Sequence, residues 1–349
     1  MKKQFDVWTL ISIIGLSAFS LFNLFGIKNS LFLNQAVFFL IGFAFLFIVY
    51  ELRLNFFRLN SRFFYFLSLV FLLITFIVGQ EIRGSKRWLD FYFLKFQPSE
   101  FLKPFFIIYL ADLFSDEWPK SIFTVDFKKL LVSFLFFLLP TIIIFKQPDL
   151  GNTAVFVAIY LGILFFIGIP MHYFNYFFLF LLISAPLTWR ILADYQKDRI
   201  LSFINPQIDP KGISYNLIQS IITVGSGGFL GRGLGLGTQS RFSFLPENHT
   251  DFVFASLVEQ FGFVGGITVI FLYALIIFQL IKKVLTYQKE SFIFLFLTGS
   301  VAFLISQMFI NIGMNFGILP ITGIALPLIS YGGSSIASTM IILGLTLSL

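Results

Sequence analysis

The sequence has no cysteine. That excludes a disulfide framework, a thiolate metal site and a thiol nucleophile. Histidine occurs only as His172 and His249, which rules out a histidine-rich metal cluster. Charge is scarce as well. Asp, Glu, Lys and Arg make up 12% of the 349 residues, about half of what soluble domains carry. No Pro-rich linker, soluble domain or clear internal repeat is legible. Seven glycines fall at 225, 227, 228, 231, 233, 235 and 237, but no Gly-Lys-Ser/Thr ending follows and no G-x-G-x-x-G pattern occurs. Nucleotide binding is therefore not indicated, and nothing suggests a nucleic-acid partner. Close helix packing or flexibility is the expected use of these glycines.

What is present is lipid-like. Hydrophobic residues make up 58% of the chain, and mean hydropathy is +0.91. The abundance of Phe, with Lys and Ile common and Ala thin, reads as AT-rich codon usage rather than an aromatic-stacking function. A membrane helix needs about 20 apolar residues. About ten such runs are found, at 7–27, 31–50, 63–80, 98–114, 130–146, 152–169, 174–193, 252–281, 291–312 and 326–348. The expected fold is an all-α polytopic membrane protein, a single integral membrane domain over 1–349. The first run follows Lys2 and Lys3 but is long and lacks a small-x-small cleavage site, so it reads as a retained helix.

Ten spans put both termini on one side. With the N-terminus inside, the inner segments carry Lys2, Lys3, Arg53, Arg58, Arg62, Lys120, Lys128, Lys129, Lys282, Lys283 and Lys289. The short outer loops carry Lys28, Arg83, Lys86, Arg87, Lys95 and Lys146. The excess favours cytoplasmic termini. The long segment 194–251, between the seventh and eighth spans, would then lie outside. Within it, Tyr215–Val224 is amphipathic and could lie in the interface. The basic outer face has two readings: snorkelling anchors at helix ends, or attraction of an anionic substrate.

Polar residues collect at a few places. Arg83–Asp90 leads into Phe96-Gln97-Pro98-Ser99-Glu100, where Pro98 suits the first helical turn. Glu100 and Lys103 share one helix face. They are either an ion pair that sets helix register or members of a site, since intramembrane charge is costly and usually functional. Asp149, after Lys146-Gln147-Pro148, is adequately explained as a helix cap. Leu245–Phe252 holds Asp251 at the mouth of a long apolar run. Thr250 or Asp251 could cap the helix that follows. The company of Arg232, Arg241, Glu247 and His249 on the same expected side as Glu100 and Lys103 raises the alternative of a catalytic base. Residues 311–335, rich in Asn, Gly, Pro and Ser, suit close packing and a broken helix; residue types alone assign no chemistry there.

Together these pieces resemble the SEDS family (shape, elongation, division and sporulation) of membrane peptidoglycan glycosyltransferases. The ordered matches are RWLD…FQPSE, QPDLG, YNLIQS…GSGG, FLPENHTDF and NIGMNFGILPITG…PLISYGGSS, which span nearly the whole chain. Gly237-Thr238-Gln239-Ser240 is more similar to the elongation branch, RodA, than to the division branch, FtsW. Phe91 stands where the family often has Gly.

The resemblance implies ten helices, a lipid II substrate, an essential Asp at position 251, and a polar cavity containing Glu100 and Lys103. It also implies a class B penicillin-binding protein as partner and a location in the bacterial plasma membrane, among membrane lipids. In the implied reaction, the acceptor GlcNAc 4-hydroxyl attacks the donor anomeric carbon and undecaprenyl diphosphate leaves. An α linkage becomes β, so one inverting displacement suffices. Glycosidases pair two carboxylates because their leaving group needs an acid; diphosphate needs only positive charge. Asp251 would be the general base. Lys103, Arg87, Lys146 or Arg232 would offset the diphosphate, with His249 nearby and Glu100 holding Lys103 or the acceptor. No organic cofactor is implied, but a divalent cation, Mg or Mn, could share the charge. A lipid II flippase and a non-catalytic scaffold of a wall-synthesis complex are the alternatives.

Overall fold

In a computed structural model, residues 6–82, 85–90, 95–116, 126–192, 194–207, 209 and 212–349 are described. Lys2, Lys3, Arg83, Gly84, Phe91 and Lys120 lie outside them. The chain is a helix bundle: α1 (Val7–Ile27), α2 (Asn29–Leu59), α3 (Ser61–Val78), α4 (Pro98–Phe114), α5 (Phe127–Lys146), α6 (Leu150–Ile167) and α7 (Met171–Ile191) precede the long segment. That segment carries α8 (Asp194–Ile204), α9 (Tyr215–Ser226) and the single turn α10 (Thr238–Arg241). α11 (Val253–Thr286), α12 (Ser291–Asn315) and α13 (Gly333–Leu347) complete the bundle. Among the described residues, eight helices are long and apolar enough to cross a membrane. The other two bundle helices are α13, apolar but only 15 residues long, and α4, 17 residues with two prolines, Glu100 and Lys103. This is a multi-pass membrane protein of about ten helices, as the hydropathy pattern predicts.

Three departures have local causes. First, α2 runs nine residues past the expected apolar run, through a break at Arg53, whose φ is 62°. Hydropathy ends where the charges begin, and a second short helical stretch, 54–59, follows the break. Second, the final helix begins at Gly333, seven residues later than expected. Pro320 and Pro327 lack the amide donor that a helix needs, and Leu328 adopts φ 61°, so residues 320–331 stay non-helical. Third, the loop before α4 contains a small antiparallel sheet, β1 (Gln80–Ile82), β2 (Ser85–Asp90) and β3 (Lys95–Phe96), in the order β1-β2-β3. Its register pairs Gln80 with Trp88 and Leu89 with Phe96. An all-helical reading misses it because the strands are short and one pairs only two residues.

The glycine run braces a broken helix. α11 is interrupted at Gly262, φ 70°, which frees main-chain groups that hydrocarbon cannot satisfy. The glycine loop supplies the partners. Arg232 and Gly233 amides donate to the Glu259 and Gln260 carbonyls at 2.9 and 3.1 Å, and Phe263 donates to the Gly228 carbonyl at 2.9 Å. A Cβ at Gly231 would collide with the Gln260 carbonyl and one at Gly227 with the Val258 carbonyl, so close packing is the use of these two glycines. Buried Glu259 accepts from the Gln239 and Ser240 amides at 2.8 and 2.9 Å, fixing the turn that leads into residues 241–252. α9 docks through Ser220, whose hydroxyl donates to the Asn315 carbonyl at 2.9 Å.

The first and last described residues share one end of the bundle. Lys283 lies 4.0 Å from Asp6, and the Tyr287 hydroxyl donates to the Leu349 carbonyl at 2.8 Å. The starts of α4, α6 and α11 and the end of α12 meet at the opposite end, where the polar motifs converge.

Candidate active site

Asp251 lies in a folded turn two residues before α11. The Thr250 and Phe252 amides both donate to the Glu247 carbonyl, at 3.2 and 3.1 Å. The Thr250 hydroxyl donates to Glu247 Oε2 at 2.9 Å. α11 has Phe252 at its N-cap with no side-chain capping bond. Neither Thr250 nor Asp251 serves as the cap, so the simplest structural explanation for the Asp251 carboxylate does not hold.

Its backbone is clamped from α12. Asn311 and Asn315, one helical turn apart, donate from Nδ2 to the Asp251 carbonyl at 3.0 and 3.1 Å. Asn311 also donates to the Ile324 carbonyl at 2.7 Å, and Asn315 Oδ1 accepts the Ala255 amide at 2.9 Å. The Ser330 hydroxyl donates to the Thr250 carbonyl at 2.7 Å. The Tyr331 amide donates to the His249 carbonyl at 2.8 Å, and the two rings meet edge to face. The Asn/Pro/Ser-rich segment, to which residue types assigned no chemistry, thus holds residues 249–251 in place.

The Asp251 carboxylate is half-buried but crowded by protein. Desolvation pushes its pKa up to about 6; Arg199 opposes the rise, Glu247 adds to it, Arg87 opposes it and Asp149 adds to it. Arg199 escaped the sequence reading. It stands on α8 in a polar run beside Lys197 and Asp198, and nothing in that run distinguishes it. Asn311 and Asn315 carried a readable signal: amides spaced i, i+4 at the end of an apolar helix share one face.

Asp149 does cap α6, accepting the Asn152 amide at 3.2 Å, but it does more. It also accepts from Asn152 Nδ2 at 2.9 Å and Gln97 Nε2 at 3.2 Å, and Arg87 Nε lies 3.9 Å away. Arg87, presented by β2, donates to the Gln147 carbonyl at 3.0 Å and to the Pro148 carbonyl. Gln97 immediately precedes α4, so the cluster ties β2, α4 and α6 together.

Glu100 and Lys103 form the expected pair, with Nζ 2.7 Å from Oε1, and both are enclosed. Lys103 has no exposed surface and sits 5.6 Å from the centre of the Phe303 ring; Glu100 Oε2 has no hydrogen-bond partner among the described residues. Asp149 is within electrostatic range of both Lys103 and Asp251. Lys146 and Arg232 are exposed; Arg232 is tied to the Ser226 carbonyl at 3.1 Å, and neither is among the charges acting on Asp251. His249 is half-buried beside Asn248, 3.3 Å from its Oδ1. No group of three or more His, Cys, Asp or Glu suited to a metal ion occurs among the described residues.

The arrangement is one basic carboxylate flanked by guanidinium groups, at the end of the bundle where helices begin and break. The family model FtsW/RodA/SpoVE, described as cell cycle protein, matches residues 2–349. The peptidoglycan glycosyltransferase MrdB of Helicobacter pylori is 33% identical over 98% of this chain and 89% of its own length. A probable peptidoglycan glycosyltransferase FtsW from Buchnera aphidicola is 34% identical over 87% of this chain and 80% of its own. A chain from a solved peptidoglycan synthase complex, described as coordinating polymerization and crosslinking, superposes with TM-score 0.84 at 29% identity, covering 99% of this chain and 97% of that one. The crystal structure of the rod shape determining protein RodA from Thermus thermophilus gives 0.72 at 26% identity, covering 99% and 96%.

Proposed function

The chain belongs to the FtsW/RodA/SpoVE family, the SEDS proteins, and on that premise we propose that it is a RodA-like peptidoglycan glycosyltransferase serving cell elongation and shape. Its substrate is lipid II, taken from the outer leaflet of a bacterial plasma membrane, with both termini cytoplasmic. A class B penicillin-binding protein is its partner, in keeping with the synthase complex that it resembles.

Asp251 takes the proton of the acceptor hydroxyl as oxygen attacks the donor sugar carbon. The glycosidic bond forms on one face while the bond to diphosphate breaks on the other, inverting that carbon. A positioned base of this kind contributes about 10²–10⁴-fold. The observation that carries this reading is the Asp251 carboxylate itself: pinned through its carbonyl by two asparagines and unused as a helix cap. Arg87, on the same side, offsets the leaving diphosphate. Lys103 is enclosed and held by Glu100, so the pair supports the packing of α4 against α12 and acts on the site through Asp149. A divalent cation would enter with the substrate's diphosphate, not in a cage of protein carboxylates.

Purified protein in vesicles with lipid II confined to one leaflet tests the proposal. Polymer formed from the leaflet that faces the Asp251 end, without transfer of lipid II to the other, is expected. Transfer of lipid II without polymer would instead identify a flippase, and neither activity would leave a scaffold.

A further inference from the structure

Arg199 stands apart from the other cations by what it faces. Its Nη1 donates to the Ile321 carbonyl at 3.3 Å, fixing the guanidinium against the loop that follows α12. Three residues along that loop, the Ile324 carbonyl receives Asn311, the clamp on Asp251. Between them lies Gly323, with φ 71°. A Cβ at Gly323 would be 3.4 Å from Asp251 Oδ2 and 3.6 Å from Arg199 Nη1. Carboxylate and guanidinium therefore both come within about 3.6 Å of one point beside Gly323.

The remaining charges around Asp251 are Glu247 from its own turn, Arg87 from β2 and Asp149 from the start of α6. Arg87 is engaged with Asp149 and with the Gln147 and Pro148 carbonyls. Two carboxylates beside a crowded third favour protonation. A base needs the opposite bias, and a guanidinium keeps its proton at any pH the enzyme meets.

We infer that Arg199 is a positioning residue for Asp251: from the long segment between α7 and α11 it supplies, beside Gly323, the permanent charge that keeps the carboxylate anionic. The inference rests on the reading of Asp251 as the base. It gives α8 a role that its sequence does not announce. Docking of this helix brings the cation that readies the site, so the segment is part of the catalytic apparatus.

The test is the pH dependence of lipid II polymerisation by full-length purified protein. Arg199→Gln and Arg199→Lys are compared with wild type, and Asp251→Asn is assayed in parallel. In Arg199→Gln the acid limb moves upward by about one pH unit or more, with activity recovering toward the wild-type level at high pH. Arg199→Lys keeps the limb near the wild-type position. A residue that merely holds the fold would lower activity equally at every pH and leave the limb in place, and that result overturns the inference. If Arg199→Gln is not recovered folded, Arg199→Lys decides alone: a limb displaced upward despite the retained charge also overturns it. Asp251→Asn protein that still polymerises would remove the reading beneath. Inactive Asp251→Asn with an unmoved limb in Arg199→Gln would remove the inference only.

Discussion

Asn311 of α12 donates to the main-chain carbonyl of Asp251, sixty residues earlier in the chain, at 3.0 Å. The same amide holds the Ile324 carbonyl, so one side chain fixes both walls of the candidate site. Asn315 repeats the grip one turn on.

Asn311→Ala should therefore misplace the base without touching the substrate. Loss of buried hydrogen bonds costs about 1–3 kcal/mol, and a displacement near 1 Å can cost about 10²-fold in rate. We expect polymerisation to fall by about 10–100-fold while the protein still folds. Rate and thermal midpoint, measured on the same preparation, check this. A wild-type rate would show that the clamp is dispensable.

The enclosed Glu100–Lys103 pair makes a stability prediction. Replacing Lys103 by Met leaves a carboxylate uncompensated in the bundle, which costs about 3–5 kcal/mol. The double variant Glu100→Gln, Lys103→Met removes both charges and should recover most of that loss. A double variant no more stable than Lys103→Met would contradict a structural pairing. Its polymerisation rate then reports whether the pair also serves the chemistry.

The sign of the pH dependence follows from Asp251. Its pKa is raised to about 6 from the ordinary 3.8, so it is protonated and useless as a base below that value. Polymerisation should lose activity along an acid limb near pH 6, not near 4. Stability should run the other way. Between about 4 and 6 the folded protein binds the proton that the unfolded chain has released, so this residue's contribution to stability declines as pH rises through that window. A rate profile flat down to pH 5 would contradict the assignment.

The bundle was legible because hydropathy reports burial in lipid directly: the ten runs and the ten bundle helices coincide to within a few residues except at α2 and α13. At α2 a second helical stretch follows the Arg53 break, beyond where apolar counting ends. At α13 prolines delay one that it starts. The site was legible only in part. Asp251, Glu100 and Lys103 stood out because charge beside apolar runs is rare. Asp149 was concealed by its sufficient explanation as a cap. Arg199 was invisible because its partner is 52 positions away in a turn, and a polar run on a surface segment does not announce which cation faces inward. The asparagine clamp lay in plain view, but what it holds depends on three-dimensional proximity.

The most direct measurement compares glycan products from wild-type and Asp251→Asn protein, both purified as folded bundles and supplied with lipid II and the partner penicillin-binding protein. The amide, which fills the same space but accepts no proton, should lower polymer yield by at least about 10²-fold with a thermal midpoint no lower than that of wild type. Polymer at the wild-type rate from the Asn variant would contradict the account.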